Sequence, residues 1–119
     1  MANPIVHFEI IGQDAAATQR FYGDLFGWPI DADNEYGYGL VNPGRGTMDR
    51  GIPGGIAGTQ DGDAARTTIY VEVEDIEATL ARAEELGGRK LFGPETIMER
   101  ITLAQFQDPD GNIIGLLSR

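Results

Sequence analysis

The sequence has no cysteine and only one histidine among its 119 residues. The lack of cysteine excludes disulfide bonds, thiolate metal sites and cysteine nucleophiles. Long hydrophobic runs are also missing, since no stretch approaches the roughly 18 apolar residues that span a membrane. The first ten residues carry no basic segment followed by an apolar run, so we expect no signal peptide and a cytoplasmic protein.

Positive charge is scarce as well, because nine Lys and Arg residues stand against nineteen Asp and Glu, a net charge of -10. Such a surface repels polyanions, so neither nucleic acid nor a membrane is an expected partner. The acidic surplus is typical of a well-solvated surface. The length fits one domain, 1–119, which can bury about two-thirds of its unfolded surface.

The first half of the chain predicts a strand, a helix and short glycine-rich strands. Residues 4–11 form an apolar strand, and Asp14 is a candidate N-cap for a helix that Gly27 ends. The apolar stripe expected to cover the sheet consists of Ala17, Phe21 and Leu25. Nine of the thirty residues in 34–63 are glycine, which predicts short strands and loops over 43–50 and 58–66.

The second half of the chain follows the same order. Residues 67–74 alternate as a strand, and Asp75 is the next candidate N-cap. The apolar stripe of the second helix consists of Ile76, Leu80, Ala83 and Leu86. A short strand and a turn at Gly93-Pro94 precede a closing hairpin over 97–117, whose turn has the sequence DPDG.

An internal repeat relates the two halves. A shift of 61 residues aligns 7–27 with 68–88 and gives five identities in 21 positions. The identical pairs are Asp14/Asp75, Ala17/Ala78, Thr18/Thr79, Leu25/Leu86 and Gly27/Gly88. The repeat predicts two modules that each begin with a strand and a helix. A ferredoxin-like sandwich also begins in this way, but the strand-rich stretch 28–57 and the closing hairpin favour eight strands over four.

Four segments carry a family resemblance: the strand with His7, and the stretches Arg20–Trp28, Val71–Gly88 and Phe106–Leu116. Together they resemble the vicinal oxygen chelate superfamily, which includes glyoxalases, bleomycin resistance proteins and extradiol dioxygenases. The resemblance implies a glyoxalase-like α+β fold. In that fold two βαβββ modules, about 1–60 and 61–119, form a half-open eight-stranded barrel around a ligand cavity. The resemblance also implies a homodimer.

The resemblance assigns four strand positions to the metal ligands of the family's enzymes. Each position should hold histidine or glutamate, but only His7 matches. The other three fall within Gly54–Ala57, on Thr68 and on Gly115. One imidazole cannot replace the four to six donors that divalent ions need, so we expect no metal and no cofactor.

Candidate catalytic residues come from the same strands. His7 is a candidate base or hydrogen-bond donor, because imidazole is the side chain that changes charge near neutral pH. Glu9 and Glu72 should share its face. They could divide acid and base roles, form a makeshift metal site with His7, or lie solvated or paired with arginine at the barrel rim. The candidate ligand-binding residues are Trp28, Tyr38, Thr68, Tyr70 and Gly115.

Three functions remain open at this point. The first is a protein that binds a small organic molecule in its cavity without a metal. The second is a lyase, isomerase or dioxygenase-type enzyme, using a non-standard metal site or His7 as a metal-free base. The third is an interaction module with a vestigial cavity. Fold alone does not separate them, because related folds support several reactions.

Overall fold

The chain forms two compact units. The N-terminal unit is His7–Thr67, and the C-terminal unit is Thr68–Arg119 together with Met1–Val6. The computed structural model describes residues 2–42, 50–59 and 62–119. The loop predicted over 43–50 lies outside the described residues except at its last position.

The described residues form eight strands and two helices. In chain order these are β1 (Ile5–Gly12), α1 (Ala15–Phe26), β2 (Ile30–Asp31), β3 (Gly39–Val41), β4 (Gly54–Gly58), β5 (Arg66–Glu72), α2 (Ile76–Glu85), β6 (Arg89–Ile97), β7 (Ile101–Gln107) and β8 (Ile113–Ser118). The α+β class and the two βαβββ modules are therefore confirmed, and the four-stranded alternative is wrong. In the described part of the chain, neither helix has the length and apolar character to cross a membrane.

The sheet of the N-terminal unit has the order β2-β3-β4-β1, in which β1 and β4 run parallel. The neighbouring strands pair antiparallel. In this register Gly55 lies between Glu9 on β1 and Leu40 on β3. Val41 and Ile56 are 1% and 0% exposed and form the core of this unit.

The sheet of the C-terminal unit has the corresponding order β5-β8-β7-β6, in which β5 and β8 run parallel. Gly115 on β8 lies between Tyr70 on β5 and Gln105 on β7. The core of this unit consists of Val73, Ile76, Leu80, Ala104 and Leu116. The predicted stripe of α2 is thus confirmed at Ile76 and Leu80, whereas Leu86 is exposed.

The helix caps repeat between the units. Asp14 accepts a hydrogen bond from the backbone N–H of Ala17 at 3.1 Å, and Asp75 accepts one from Ala78 at 3.0 Å. Gly27 ends α1 in the left-handed conformation with φ of 68°, which glycine adopts without steric cost. The predicted caps are confirmed because each depends on a few neighbouring residues.

The predicted core stripe of α1 is wrong. Phe21 and Leu25 are 59% and 58% exposed, and no residue of α1 is buried. Polar side chains face the sheet instead. The side chain of Thr18 lies against Gly12, and a β-carbon on Gly39 would lie 2.8 Å from Nε2 of Gln19.

Gln19 explains how a polar helix face can pack on a sheet. Its amide nitrogen donates to the carbonyl oxygens of Ile56 at 2.8 Å and Gly37 at 3.1 Å. These hydrogen bonds satisfy the half-buried amide, whose partial removal from water would otherwise cost free energy. Because Gly39 has no side chain, the helix can approach closely enough to make them.

The turn before β7 comes later in the chain than the sequence predicts. β6 continues through Gly93-Pro94, where its pairing with β7 is irregular. The chain reverses after Ile97, whose carbonyl oxygen accepts from the N–H of Arg100 at 3.2 Å. Met98 and Glu99 have φ of 52° and 62°, values that side chains other than glycine seldom adopt. No turn-forming residue marks the position.

The DPDG turn between β7 and β8 is present as predicted. The Asp108 carboxylate accepts from the backbone N–H groups of Asp110 and Asn112, both at 2.9 Å. It also accepts from the side-chain amide of Asn112 at 2.8 Å. The side-chain hydrogen bond from Asn112, followed by the backbone hydrogen bonds, lowers the pKa of Asp108.

Candidate functional site

The sheet face opposite α1 carries the candidate residues of the N-terminal unit. Phe8 points toward the helix side, where its ring lies 5.5 Å from that of Trp28 and covers Gly54. Because side chains alternate along a strand, His7 and Glu9 lie on the other face. Both are half-buried.

Tyr38 joins His7 and Glu9 into one cluster. Its hydroxyl donates to Oε2 of Glu9 at 3.0 Å. The Tyr38 hydroxyl oxygen also lies 2.9 Å from Nε2 of His7. A phenol has one proton, so the bond to His7 requires a proton on Nε2 when Tyr38 donates to Glu9. In the neutral imidazole the remaining lone pair is then on Nδ1.

The position of Tyr38 depends on a turn and on a glycine. The Asn34 side chain accepts from the Tyr38 N–H at 3.0 Å and donates to its carbonyl oxygen at 2.8 Å, which holds the segment before β3. The Tyr38 ring then lies on Gly55, where a β-carbon would overlap the ring. The tyrosine hydroxyl thus bridges to Glu9 across this glycine.

The C-terminal unit contains the same arrangement with different partners. The Tyr70 ring lies on Gly115, where a β-carbon would again overlap it. Nε2 of Gln105 donates to the Tyr70 hydroxyl at 3.0 Å. Tyr70 and Gln105 are 5% and 8% exposed, so this pair is buried.

Thr68 lies on the same strand face as Tyr70, two residues earlier in β5. It is 4% exposed, and its hydroxyl has no hydrogen-bond partner among the described residues. Nε of Arg66 is the other buried side-chain atom in the described residues without a partner. Such atoms are rare because a buried polar group without a partner costs free energy.

Two predicted site residues lie elsewhere. The Glu72 carboxylate accepts from Nε of Arg119 at 3.1 Å, the pairing with arginine that was one of its open interpretations. Trp28 packs against an aromatic group on the α1 side of the sheet, which consists of Phe8, Tyr22 and Phe26. It also lines an open groove of about 510 Å³ with Arg20 and Asp24.

Sequence reasoning missed Gln105 and the role of Gly55. Gln105 is an ordinary residue of an alternating strand, and nothing local indicates that its amide meets Tyr70. The signal lies in the strand register, which places Gln105 and Tyr70 on either side of Gly115. A glycine flanked by a tyrosine and a polar residue on adjacent strands would reveal such a pair once the register is known.

The residues present do not fit the metal that the resemblance associates with this fold. Tyrosine rings cover Gly55 and Gly115, so neither position has space for a ligating side chain. Thr68 supplies a neutral hydroxyl in place of a histidine or carboxylate. No group of three or more His, Cys, Asp or Glu side chains is placed to hold a metal ion within the described ranges.

Comparison with curated proteins finds two relatives from anthracycline-producing pathways. The anthracycline biosynthesis protein DnrV of Streptomyces peucetius is 28% identical over 117 residues, which cover 87% of this chain and 42% of that protein. DauV of Streptomyces sp. strain C5, also described as an anthracycline biosynthesis protein, gives the same figures. The chain thus spans less than half the length of these relatives.

Comparison with solved structures supports the fold. A glyoxalase/bleomycin resistance protein/dioxygenase superfamily member from Vibrio splendidus 12B01 has a TM-score of 0.66 at 17% identity, covering 99% of this chain and 100% of the other. A methylmalonyl-CoA epimerase from Streptomyces coelicolor has a TM-score of 0.60 at 18% identity, covering 99% and 95%. At this level of identity the likeness shows the fold alone.

The sequence profile of one family matches nearly the whole chain, from residue 4 to residue 116. The two βαβββ modules and the structural neighbours agree with that match. The chain therefore belongs to the Glyoxalase/Bleomycin resistance protein/Dioxygenase superfamily.

Proposed function

We propose that this protein binds a small organic molecule directly, without a metal ion, on the face that carries His7, Glu9 and Tyr38. The observation that carries the proposal is the Tyr38 ring on Gly55, which places a phenol where a ligating side chain would have to enter. A phenol that lies within about 3 Å of both an imidazole and a carboxylate can help to orient an organic ligand through hydrogen bonds.

The proposed ligand is a planar, polycyclic aromatic compound with hydroxyl or carbonyl oxygens. The rings of His7 and Tyr38 support this class, since they lie nearly parallel at 16° with centroids 6.3 Å apart. The curated relatives support it as well, because anthracyclines are compounds of this kind. Their oxygens would match the hydrogen-bonding groups of the cluster.

The test is a titration with 1,8-dihydroxyanthraquinone, followed by the visible absorbance of the dye and by the melting temperature of the protein. Wild-type protein should bind, and Tyr38→Phe should weaken binding about tenfold by removing one hydrogen bond. Tyr22→Phe is the matched control, because it removes a phenol hydroxyl on the α1 side of the sheet. Absence of binding to wild type, or equal loss in both variants, would contradict the proposal.

A second candidate function is metal-free proton transfer. The chain from His7 through Tyr38 to Glu9 favours it, because a phenol hydrogen-bonded to both an imidazole and a carboxylate can pass a proton between them. In D₂O the wild type should then exchange the acidic protons of 2-tetralone, a bicyclic aromatic ketone, measured by NMR. His7→Ala should lose this exchange while remaining folded, and Tyr22→Phe should keep it. Exchange no faster than in buffer would leave binding as the function.

A homodimer is also part of the proposal. It is supported by Phe21, Leu25 and Phe26 of α1, which are 59%, 58% and 56% exposed and form an apolar surface. Light scattering after size-exclusion chromatography should give twice the mass of one chain, and Leu25→Glu should halve it. A monomeric wild type would contradict the dimer without affecting the proposed binding.

A further inference from the structure

Thr68 has a buried side-chain hydroxyl. The side chain is 4% exposed, and its oxygen meets no hydrogen-bond partner in the described residues. Valine has nearly the same shape and would carry no such penalty. A threonine here is therefore unfavourable for stability alone, which points to a group that completes its hydrogen bonding when bound.

The neighbours of Thr68 form a polar surface of defined composition. Tyr70 lies two residues along the same face of β5, and Gln105 reaches its hydroxyl from β7 across Gly115. The Gln105–Tyr70 hydrogen bond fixes both side chains in place. Thr68 is thus the one member of this group whose hydrogen-bonding capacity no described residue uses.

The chemistry of the group selects its ligand. The side chains of Thr68, Tyr70 and Gln105 form hydrogen bonds through hydroxyl and amide groups. A carbonyl oxygen could accept from the Thr68 hydroxyl, and a ligand hydroxyl could donate to it.

We infer that the C-terminal unit binds a carbonyl or hydroxyl oxygen of an organic ligand, with the Thr68 hydroxyl as the hydrogen-bonding group. Tyr70 and Gln105 are the positioning residues that shape the surface around it. The inference rests on the proposed binding of an organic molecule.

The first experiment needs no ligand. Thr68→Val removes the hydroxyl while keeping the shape, and Thr67→Val makes the same change at the exposed neighbour on the opposite face of β5. Thr68→Val should melt at the same temperature as Thr67→Val or higher, because no native hydrogen bond is lost. A clearly lower melting temperature for Thr68→Val would mean that the hydroxyl has a structural partner, and would overturn the inference.

The second experiment repeats the 1,8-dihydroxyanthraquinone titration on these variants. Thr68→Val should bind about tenfold more weakly than wild type, Thr67→Val should bind equally well, and Thr68→Ser should retain binding because it keeps the hydroxyl. Equal binding by Thr68→Val and Thr67→Val would overturn this inference and leave the proposed function standing. No binding to wild type would overturn both.

Discussion

Both units place a tyrosine ring on a glycine of their fourth strand, but the groups that hold the two hydroxyls differ. In the N-terminal unit the partner is Glu9, with His7 next to it, and the cluster is half-buried and ionisable. In the C-terminal unit the partner is Gln105, and the pair is buried and neutral. One backbone arrangement thus supports ionisable groups in one unit and a buried, neutral hydrogen-bonded pair in the other.

The two helices differ in a related way. α2 contributes Ile76 and Leu80 to an apolar core, whereas α1 faces its sheet with Thr18 and Gln19 over strand glycines. Hydrophobic burial explains the position of α2, and hydrogen bonding at close approach explains that of α1. The two units therefore share the N-caps of their helices but not the way the helices pack.

The largest effect expected from this comparison concerns the helix cores. Leu80→Ala should lower the free energy of unfolding by about 3 kcal/mol, because it leaves a cavity beneath α2. Leu25→Ala, on the exposed face of α1, should change the free energy of unfolding of the single chain by no more than about 0.5 kcal/mol, measured at a dilution at which the proposed dimer has dissociated. Urea denaturation measures both, and similar losses in the two variants would contradict the difference between the helices.

The tyrosine–glycine pairs can be tested by filling the glycine. Gly115→Val and Gly55→Val should each cost about 2 kcal/mol, because the new side chain displaces a tyrosine ring. The cost of Gly115→Val should be smaller in a Tyr70→Ala background, where the ring is absent. Additive effects in that double-mutant cycle would show that the ring does not limit the space over Gly115.

The neutral and the ionisable pair should respond differently to loss of the hydroxyl. Tyr70→Phe leaves the buried Gln105 amide without its acceptor and should cost about 1.5 kcal/mol. Tyr38→Phe should cost only about 0.5 kcal/mol, since the half-buried Glu9 can take up water instead. The comparison fails if Tyr38→Phe proves the more destabilising change in urea.

The smallest effect belongs to Asp108 in the exposed turn of the C-terminal unit. Its pKa is lowered from 3.8, so the charged carboxylate stabilises the fold above pH 3.8. This contribution should fall away as the pH drops below 3.8 and through the lower folded value. Asp108→Asn should therefore be slightly less stable than wild type at pH 7 and should converge with it in acid. A stability difference that does not change with pH would contradict this origin.

Features with local causes could be predicted from the sequence. The caps at Asp14 and Asp75 and the DPDG turn each depend on side chains within four residues of one another. The face by which α1 packs on the sheet could not be predicted, because Gln19 forms its hydrogen bonds with Gly37 and Ile56, which lie far along the chain. Helical spacing alone cannot show that a glycine-rich sheet accepts a polar face.

The candidate site was predictable in its members but not in its arrangement. His7, Glu9 and Tyr38 could be chosen by residue type, yet their contact depends on Asn34 and on the space over Gly55. The role of Gln105 could not be predicted, because it depends on the register of three strands. The aromatic ring makes Trp28 a candidate ligand-binding residue. It packs on Phe8, which strand alternation places on the opposite face of the sheet from His7 and Glu9.

The ring on Gly115 also restricts how the sequence can change over generations. A single substitution that introduces glutamate at this position meets the Tyr70 ring and destabilises the protein. If a smaller residue first replaces Tyr70, the Gln105 amide loses its hydrogen-bond acceptor and a cavity is left. Both one-step routes to a carboxylate at this position thus pass through a less stable intermediate. Glycine is therefore expected to persist here while other residues change around the tyrosine.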